Sequence, residues 1–533
     1  MPTTLEQPPA TASRPWPAPH VPFLAFGPID VWFRLLFRPR VRIPLRYVPR
    51  VVVGVALSLV ITLLTLPERL LVGLWLRLVK GRQRLPGPVV ILGYYRSGTT
   101  HLQFLLSRDP HLYSPRWTQA LSPQGFAVSW GLLNYFLLPL FPDKRPQDNA
   151  AFGTDIPAED DFALANGALA SSLIGRHVLP ELRDHYDRYH DLKGLTPEEL
   201  GRWRDGQEGF VRKIALLAGR RRVLLKTPSH TARVEELMRL FEGTDGVRFI
   251  HISRKPDSVF RSNVGLHRVL NARYHLQDPR PDEEIEQRVI AEYLATEESY
   301  LAAKGKVPPG RLAELRLEDL LADPLGEITR IYAELDLPYS DEFEQRLLEY
   351  LDATRSYEAN THREKSPEEA RRLAEVLEPL KKTFGHDRPA VAKQEPPLPR
   401  SLQPRERRSR LARAAGAAAL AGLASLVPWL GLTWLSGLRL DGLSWLAGIA
   451  VGLAAVTTAR RGTAWLGLWG AAVTLMTQAA ASLATTWLVV PGPIDSFAEL
   501  LRETWKTIEF VPVLFWLLLG TLGAFRLGTR RWI

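Results

Sequence analysis

The apolar residues of this chain follow two unlike rhythms. Between residues 82 and 388 they come as short runs that each lead into a helical pattern: "PVVILGY" before "RSGTTHLQFLL", "RRVLLKT" before "HTARVEELMRLFEG", "VRFIHISR" before "PDSVFRSNVGLHRVL" and "LAELRLEDL" before "PLGEITRIYAEL". Such alternation predicts right-handed βαβ units, an α/β fold with a parallel sheet flanked by helices. From about residue 411 the rhythm changes to four long apolar stretches, 411–435, 443–459, 464–490 and 508–527. Each is near the roughly 20 residues that a helix needs to cross about 30 Å of hydrocarbon. Four in succession, with almost no charge inside them, predict an all-α transmembrane bundle.

A further apolar segment, "VVVGVALSLVITLLTLPERLLVGLWLRLV" at 51–79, is interrupted by Pro67, Glu68 and Arg69 and has basic residues at both ends. It fits a tilted span, a re-entrant hairpin or an interfacial helix. The chain therefore divides into a Pro-rich disordered tail at 1–21, an apolar membrane-associated segment at 22–81 and an α/β domain at 82–388. A basic Pro-rich linker at 389–410 and the bundle at 411–533 follow.

Charge orients this arrangement. Lys and Arg number 68 against 57 Asp and Glu, a net +11, and the excess gathers beside the apolar stretches in "RERRSRLAR", "ARRG" and "RLGTRRW". The positive-inside rule makes those flanks cytoplasmic and puts the α/β domain on the same side of an inner membrane. The expected partners are the bilayer and anionic small molecules, with no nucleic acid. The chain has no Cys, which excludes disulfides and thiolate metal sites. No Asp, Glu, Lys or Arg stands near a span centre, which disfavours an ion-coupled transporter.

In α/β sheets ligands collect beyond the carboxyl ends of the strands, where three polar junctions are expected to meet. The first, "GYYRSGTTHL", nearly spells the phosphate loop G-x-x-x-x-G-K-[ST] of a P-loop sheet, but Thr99 stands where the lysine belongs. Gly98 permits the turn, and Arg96, Ser97, Thr99 and Thr100 surround an anion site at the start of a helix. The second, "LLKTPSHTAR", ends a strand on Lys226, a candidate for the missing charge, with His230 four residues on. The third, "HISRKPDSVFRSNV", ends its strand on Arg254 where an ATPase would carry a magnesium-holding Asp, and puts Ser262 one and a half turns into the next helix.

Together the three junctions resemble the PAPS-dependent sulfotransferase family, over about residues 89–385. The resemblance implies transfer of the sulfuryl group of PAPS to a hydroxyl or amine, without a metal. It also implies that Arg96, Ser97, Gly98, Thr99 and Thr100 hold the 5′-phosphosulfate, that Arg254 and Ser262 hold the 3′-phosphate, and that Lys226 stabilises the transferring charge. Arg363, in "EANTHREK", falls where the family has a late segment closing over PAPS. Cytosolic members carry a catalytic His two residues after the strand-end lysine, where this chain has Pro228. Two base candidates remain level: His230, and Glu159 in "DIPAEDDFALANG", since membrane-associated members tend to use Glu. The expectation is a sulfotransferase acting on a membrane-embedded or lipid-linked acceptor. Its rivals are a P-loop kinase acting on a lipid or nucleotide and a non-catalytic, membrane-anchored nucleotide sensor.

Overall fold

A computed structural model describes residues 22–39, 41–79, 86–127, 129, 152–154, 156–219, 221–354 and 367–397. In the C-terminal part it describes 404–436, 440, 443–459, 463–489, 496–507, 520–521 and 524–525. These fall into two compact units, divided between residues 399 and 400.

The first unit is built on five parallel strands: β1 (Val89–Leu92), β2 (Leu112–Tyr113), β3 (Arg222–Lys226), β4 (Arg248–Ser253) and β5 (Leu312–Arg316). Their order is β2-β3-β1-β4-β5, so β1 is central, paired with β3 through Val90↔Leu225 and with β4 through Val90↔Phe249. All four residues of β1 are buried, as expected of a strand covered on both faces by helices. Four of the strands coincide with the apolar runs of the sequence. β2 is only two residues long, too short to leave a periodic signal.

The segment before the sheet belongs to the same core. Phe23, Leu24, Trp32 and Leu35 pack in one buried cluster with Val90, Leu92 and Leu225. Val48–Val79 forms one continuous helix that carries Pro67 inside it. A hairpin is therefore absent among the described residues of this segment.

The second unit contains the helices Pro404–Ser436, Leu443–Ala459, Ala464–Val489 and Phe497–Thr507. By length and composition, Leu411–Ser436 and Ala464–Val489 suffice to cross a membrane, as does Leu45–Leu74 in the first unit. The helix Leu443–Ala459 has 17 residues, about 26 Å at 1.5 Å per residue. Most of the expected fourth stretch, 508–527, lies outside the described residues.

Candidate active site

Between the end of β1 and the helix Thr99–Leu106 the chain turns through three positive φ values: Gly93 at 141°, Arg96 at 72° and Gly98 at 96°. A Cβ on Gly93 would lie 2.4 Å from the Ile252 carbonyl oxygen, and one on Gly98 would lie 2.6 Å from Leu317 Cδ1. The loop is thus pressed against β4 and against the segment that follows β5, and glycine is needed at both places. The Gly93 amide donates to the Thr231 hydroxyl at 2.7 Å, and the Ser97 amide donates to the Tyr94 carbonyl at 3.1 Å. The first-turn amides of the helix have no intrahelical acceptors and form a site for an anion.

Arg96 is a non-glycine residue in the left-handed region, a conformation that costs about 1–3 kcal/mol and tends to occur at functional sites. Its Nε donates to Ser262 Oγ at 2.8 Å, and its carbonyl accepts from Arg254 Nη1 at 3.2 Å. The first and third junctions therefore touch. Burial, and then the neighbouring Arg96 charge, hold the Arg254 guanidinium below its usual pKa, as expected where cations gather around a place for an anion.

The second junction joins them through Lys226. Its side chain is 2% exposed; the Nζ lies 2.7 Å from Glu159 Oε1 and donates to Thr100 Oγ1 at 3.3 Å. The acidic stretch reaches this point because Arg116 and Pro157 form an antiparallel bridge beyond β2. Gln103, on the loop helix, also donates to the Ala158 carbonyl at 3.0 Å.

The three consecutive carboxylates then separate. Asp160 is fully buried and accepts from Gln207 Nε2 (2.8 Å) and Thr227 Oγ1 (3.0 Å), and it pairs with His230 Nε2 at 2.7 Å. Burial opposes its ionisation, but the His230 partner and these donors outweigh burial and hold the carboxyl well below its ordinary range. Asp161 is also buried and pairs with Arg233 at 3.0 Å and with the Ser171 hydroxyl. Glu159 alone keeps an open side, 18% exposed. His230 is 0% exposed, so the structure places it behind the site, against Asp160, with no face for an acceptor.

A second layer beneath the loop left no signal in the sequence. The Arg176 guanidinium stacks on the Tyr95 ring at 4.2 Å and is paired with Glu292. His190 Nδ1 lies 3.6 Å from Glu292 and 3.0 Å from Ser229 Oγ, which ties the loop to the turn after β3. Burial pushes the Tyr95 hydroxyl up to about 12. Arg363 lies outside the described residues.

The side chains that converge here suit anionic groups. Among the described residues converging here, Arg96, Thr100, Lys226, Arg254 and Ser262 are cations or hydroxyls, with Glu159 the one carboxylate beside Lys226.

The model for the sulfotransferase family matches residues 88–341. The omega-hydroxy-beta-dihydromenaquinone-9 sulfotransferase Stf3 of Mycobacterium bovis is 30% identical over 338 residues, covering 62% of this chain and 83% of the relative. Its counterpart in Mycobacterium tuberculosis gives the same figures. Among solved structures, the sulfotransferase STF9 of Mycobacterium avium aligns with a TM-score of 0.48 at 19% identity, over 69% of this chain and 91% of that one. The matched residues contain the loop, Lys226, Arg254 and Ser262, and the chain belongs to the sulfotransferase family.

Proposed function

We propose that the chain transfers the sulfuryl group of PAPS to a hydroxyl of a membrane-borne lipid, without a metal and from the cytoplasmic face. The observation that carries this reading is the position of Lys226 Nζ, held between Thr100 of the phosphate loop and Glu159. One cation there serves both the donor and the acceptor side of an in-line transfer.

The bound donor supplies the sulfuryl group. The loop amides, Ser97, Thr99, Thr100 and Arg96 grip its 5′-phosphosulfate, and Arg254 with Ser262 grips its 3′-phosphate. Glu159 takes the proton from the acceptor hydroxyl, whose oxygen forms the new O–S bond. The old S–O bond to the 5′-phosphate breaks, and Lys226 neutralises charge on the departing adenosine 3′,5′-bisphosphate. Positioning and charge neutralisation carry such a transfer. His230 acts as a positioning residue, orienting the Asp160 segment behind Glu159.

The lipid nature of the acceptor is supported by the long apolar helices and by the relative's name, which specifies a hydroxylated menaquinone. A tether to the bilayer raises the local concentration of such an acceptor at the site. Calorimetric titration of the full chain in detergent tests the donor. Adenosine 3′,5′-bisphosphate binds, and PAPS displaces it while ATP with magnesium does not; displacement by ATP alone would favour a kinase.

A further inference from the structure

The helix Val48–Val79 has its polarity inside out. Its buried residues Arg50, Gly54, Ser58, Ile61, Thr65 and Glu68 recur every three or four positions and so share one face. That face is fixed by polar contacts. Arg50 donates to the His275 carbonyl at 3.0 Å and Ser58 to the Gly27 carbonyl at 2.6 Å. Glu68 pairs with Lys213 at 2.8 Å and accepts from the amides of Ala127 and Ser129, each at 2.7 Å. The helix also lies very close to its neighbours: a Cβ on Gly54 would stand 2.6 Å from the Trp32 ring.

The opposite face is apolar and uncovered. Val52, Leu59, Val60, Leu63, Leu70 and Leu74 are 47–64% exposed. Phe37 and Leu45, 81% and 84% exposed, extend the same kind of surface just before the helix. Apolar surface on this scale marks an interaction site.

Two observations select the bilayer as its occupant and fix its orientation. The docked stretch from Arg50 to Glu68 is about 27 Å long at 1.5 Å per residue, nearly the whole ~30 Å of hydrocarbon. A spanning helix would drag its docking surface across the bilayer, including the exposed ion pairs of Asp30 with Arg34 and Arg69, at high cost. Basic residues also cluster at both ends, Arg38, Arg40, Arg42 and Arg46 before the helix, and Arg77 in its last turn with Lys80, Arg82 and Arg84 after it. Spanning would put one cluster on each side of the membrane, against the cytoplasmic bias of such residues. An in-plane helix keeps both among anionic headgroups of one leaflet.

We propose that the helix Val48–Val79 lies in the plane of the bilayer as a monotopic docking surface, its outer face in the acyl boundary of an anionic leaflet and the catalytic unit on its polar face. This goes beyond the sulfuryl-transfer reading and does not rest on it.

The chain has no cysteine, so single substitutions give unique labels. Full-length V52C, L63C, L70C and L74C, each carrying an environment-sensitive fluorophore, are reconstituted in phosphatidylcholine–phosphatidylglycerol vesicles. Quenching by depth-graded nitroxide lipids is then read. The proposal expects one shallow depth for all four, about 5–10 Å into the headgroup–acyl boundary. A graded profile, with position 63 near the midplane and positions 52 and 74 near opposite surfaces, would overturn it in favour of a span. Absence of lipid quenching would overturn it too, assigning the face to a second copy or to the chain's own C-terminal helices.

Discussion

Replacing Glu159 by Gln keeps the size and the hydrogen-bonding oxygen beside Lys226 but removes the carboxylate proposed as proton acceptor. General-base contributions run at about 10²–10⁴-fold, which at 1.36 kcal/mol per decade is ~2.7–5.4 kcal/mol of barrier. The carboxylate is partly exposed and paired on one side only, so the fold is expected to survive. His230→Asn is the informative contrast. It breaks a fully buried pair with Asp160, and leaving a buried polar group unsatisfied costs about 1–3 kcal/mol of stability. The geometry predicts a lower melting temperature with kcat of the folded fraction within about tenfold of the parent. The assay is steady-state turnover with radiolabelled PAPS, alongside thermal unfolding of each variant. If Glu159→Gln kept its kcat while a stably folded His230→Asn lost two decades or more, the assignment of the base would be reversed.

Arg254→Ala removes a charged contact worth about 1.5–3 kcal/mol, so adenosine 3′,5′-bisphosphate should bind ~10–150-fold more weakly by calorimetry; unchanged affinity would remove Arg254 from the 3′-phosphate site. Gly93→Ala should cost several kcal/mol in stability and abolish donor binding, because its Cβ meets the Ile252 carbonyl and its φ suits glycine; a stable, donor-binding variant would contradict the close approach of loop and β4. Acid should destabilise the first unit. Burial lowers the pKa of His190 and His275 to about 4 from 6.5. The unfolded chain then binds protons that the folded one refuses, so stability is full above pH 6.5 and falls toward pH 4. The slope is about 1.4 kcal/mol per pH unit per histidine. Denaturant midpoints that stayed flat from pH 7 to 5 would refute this.

What could be read in advance followed from local chemistry. Four strands were legible because each apolar run ends in a polar turn, and Gly93 and Gly98 were legible because the loop motif requires them. That the three junctions would meet was legible from their places at the strand ends, but the individual long-range contacts were not: Arg96 meets Ser262 across 166 positions, and neither residue type specifies the other. Glu159 stood out from Asp160 and Asp161 only through the resemblance; in the structure they part because Gln207, His230 and Arg233 arrive from distant segments to consume the two aspartates. Glu68 looked like an interruption of an apolar run, yet it is the buried partner of Lys213. A charge inside an apolar helix does not reveal which face it occupies, and the face decides its meaning.

The proposed sulfuryl transfer to a membrane lipid through Lys226 has a direct readout. The full-length chain and its Lys226→Ala variant are each incubated with sulfur-labelled PAPS and bacterial membranes, and the organic-soluble lipids are separated. A labelled lipid sulfate ester is expected with the parent chain, and a loss of at least a hundredfold, about 2.7 kcal/mol, in a folded Lys226→Ala. Label confined to the aqueous phase with the parent chain, or equal labelling by both proteins, would contradict it.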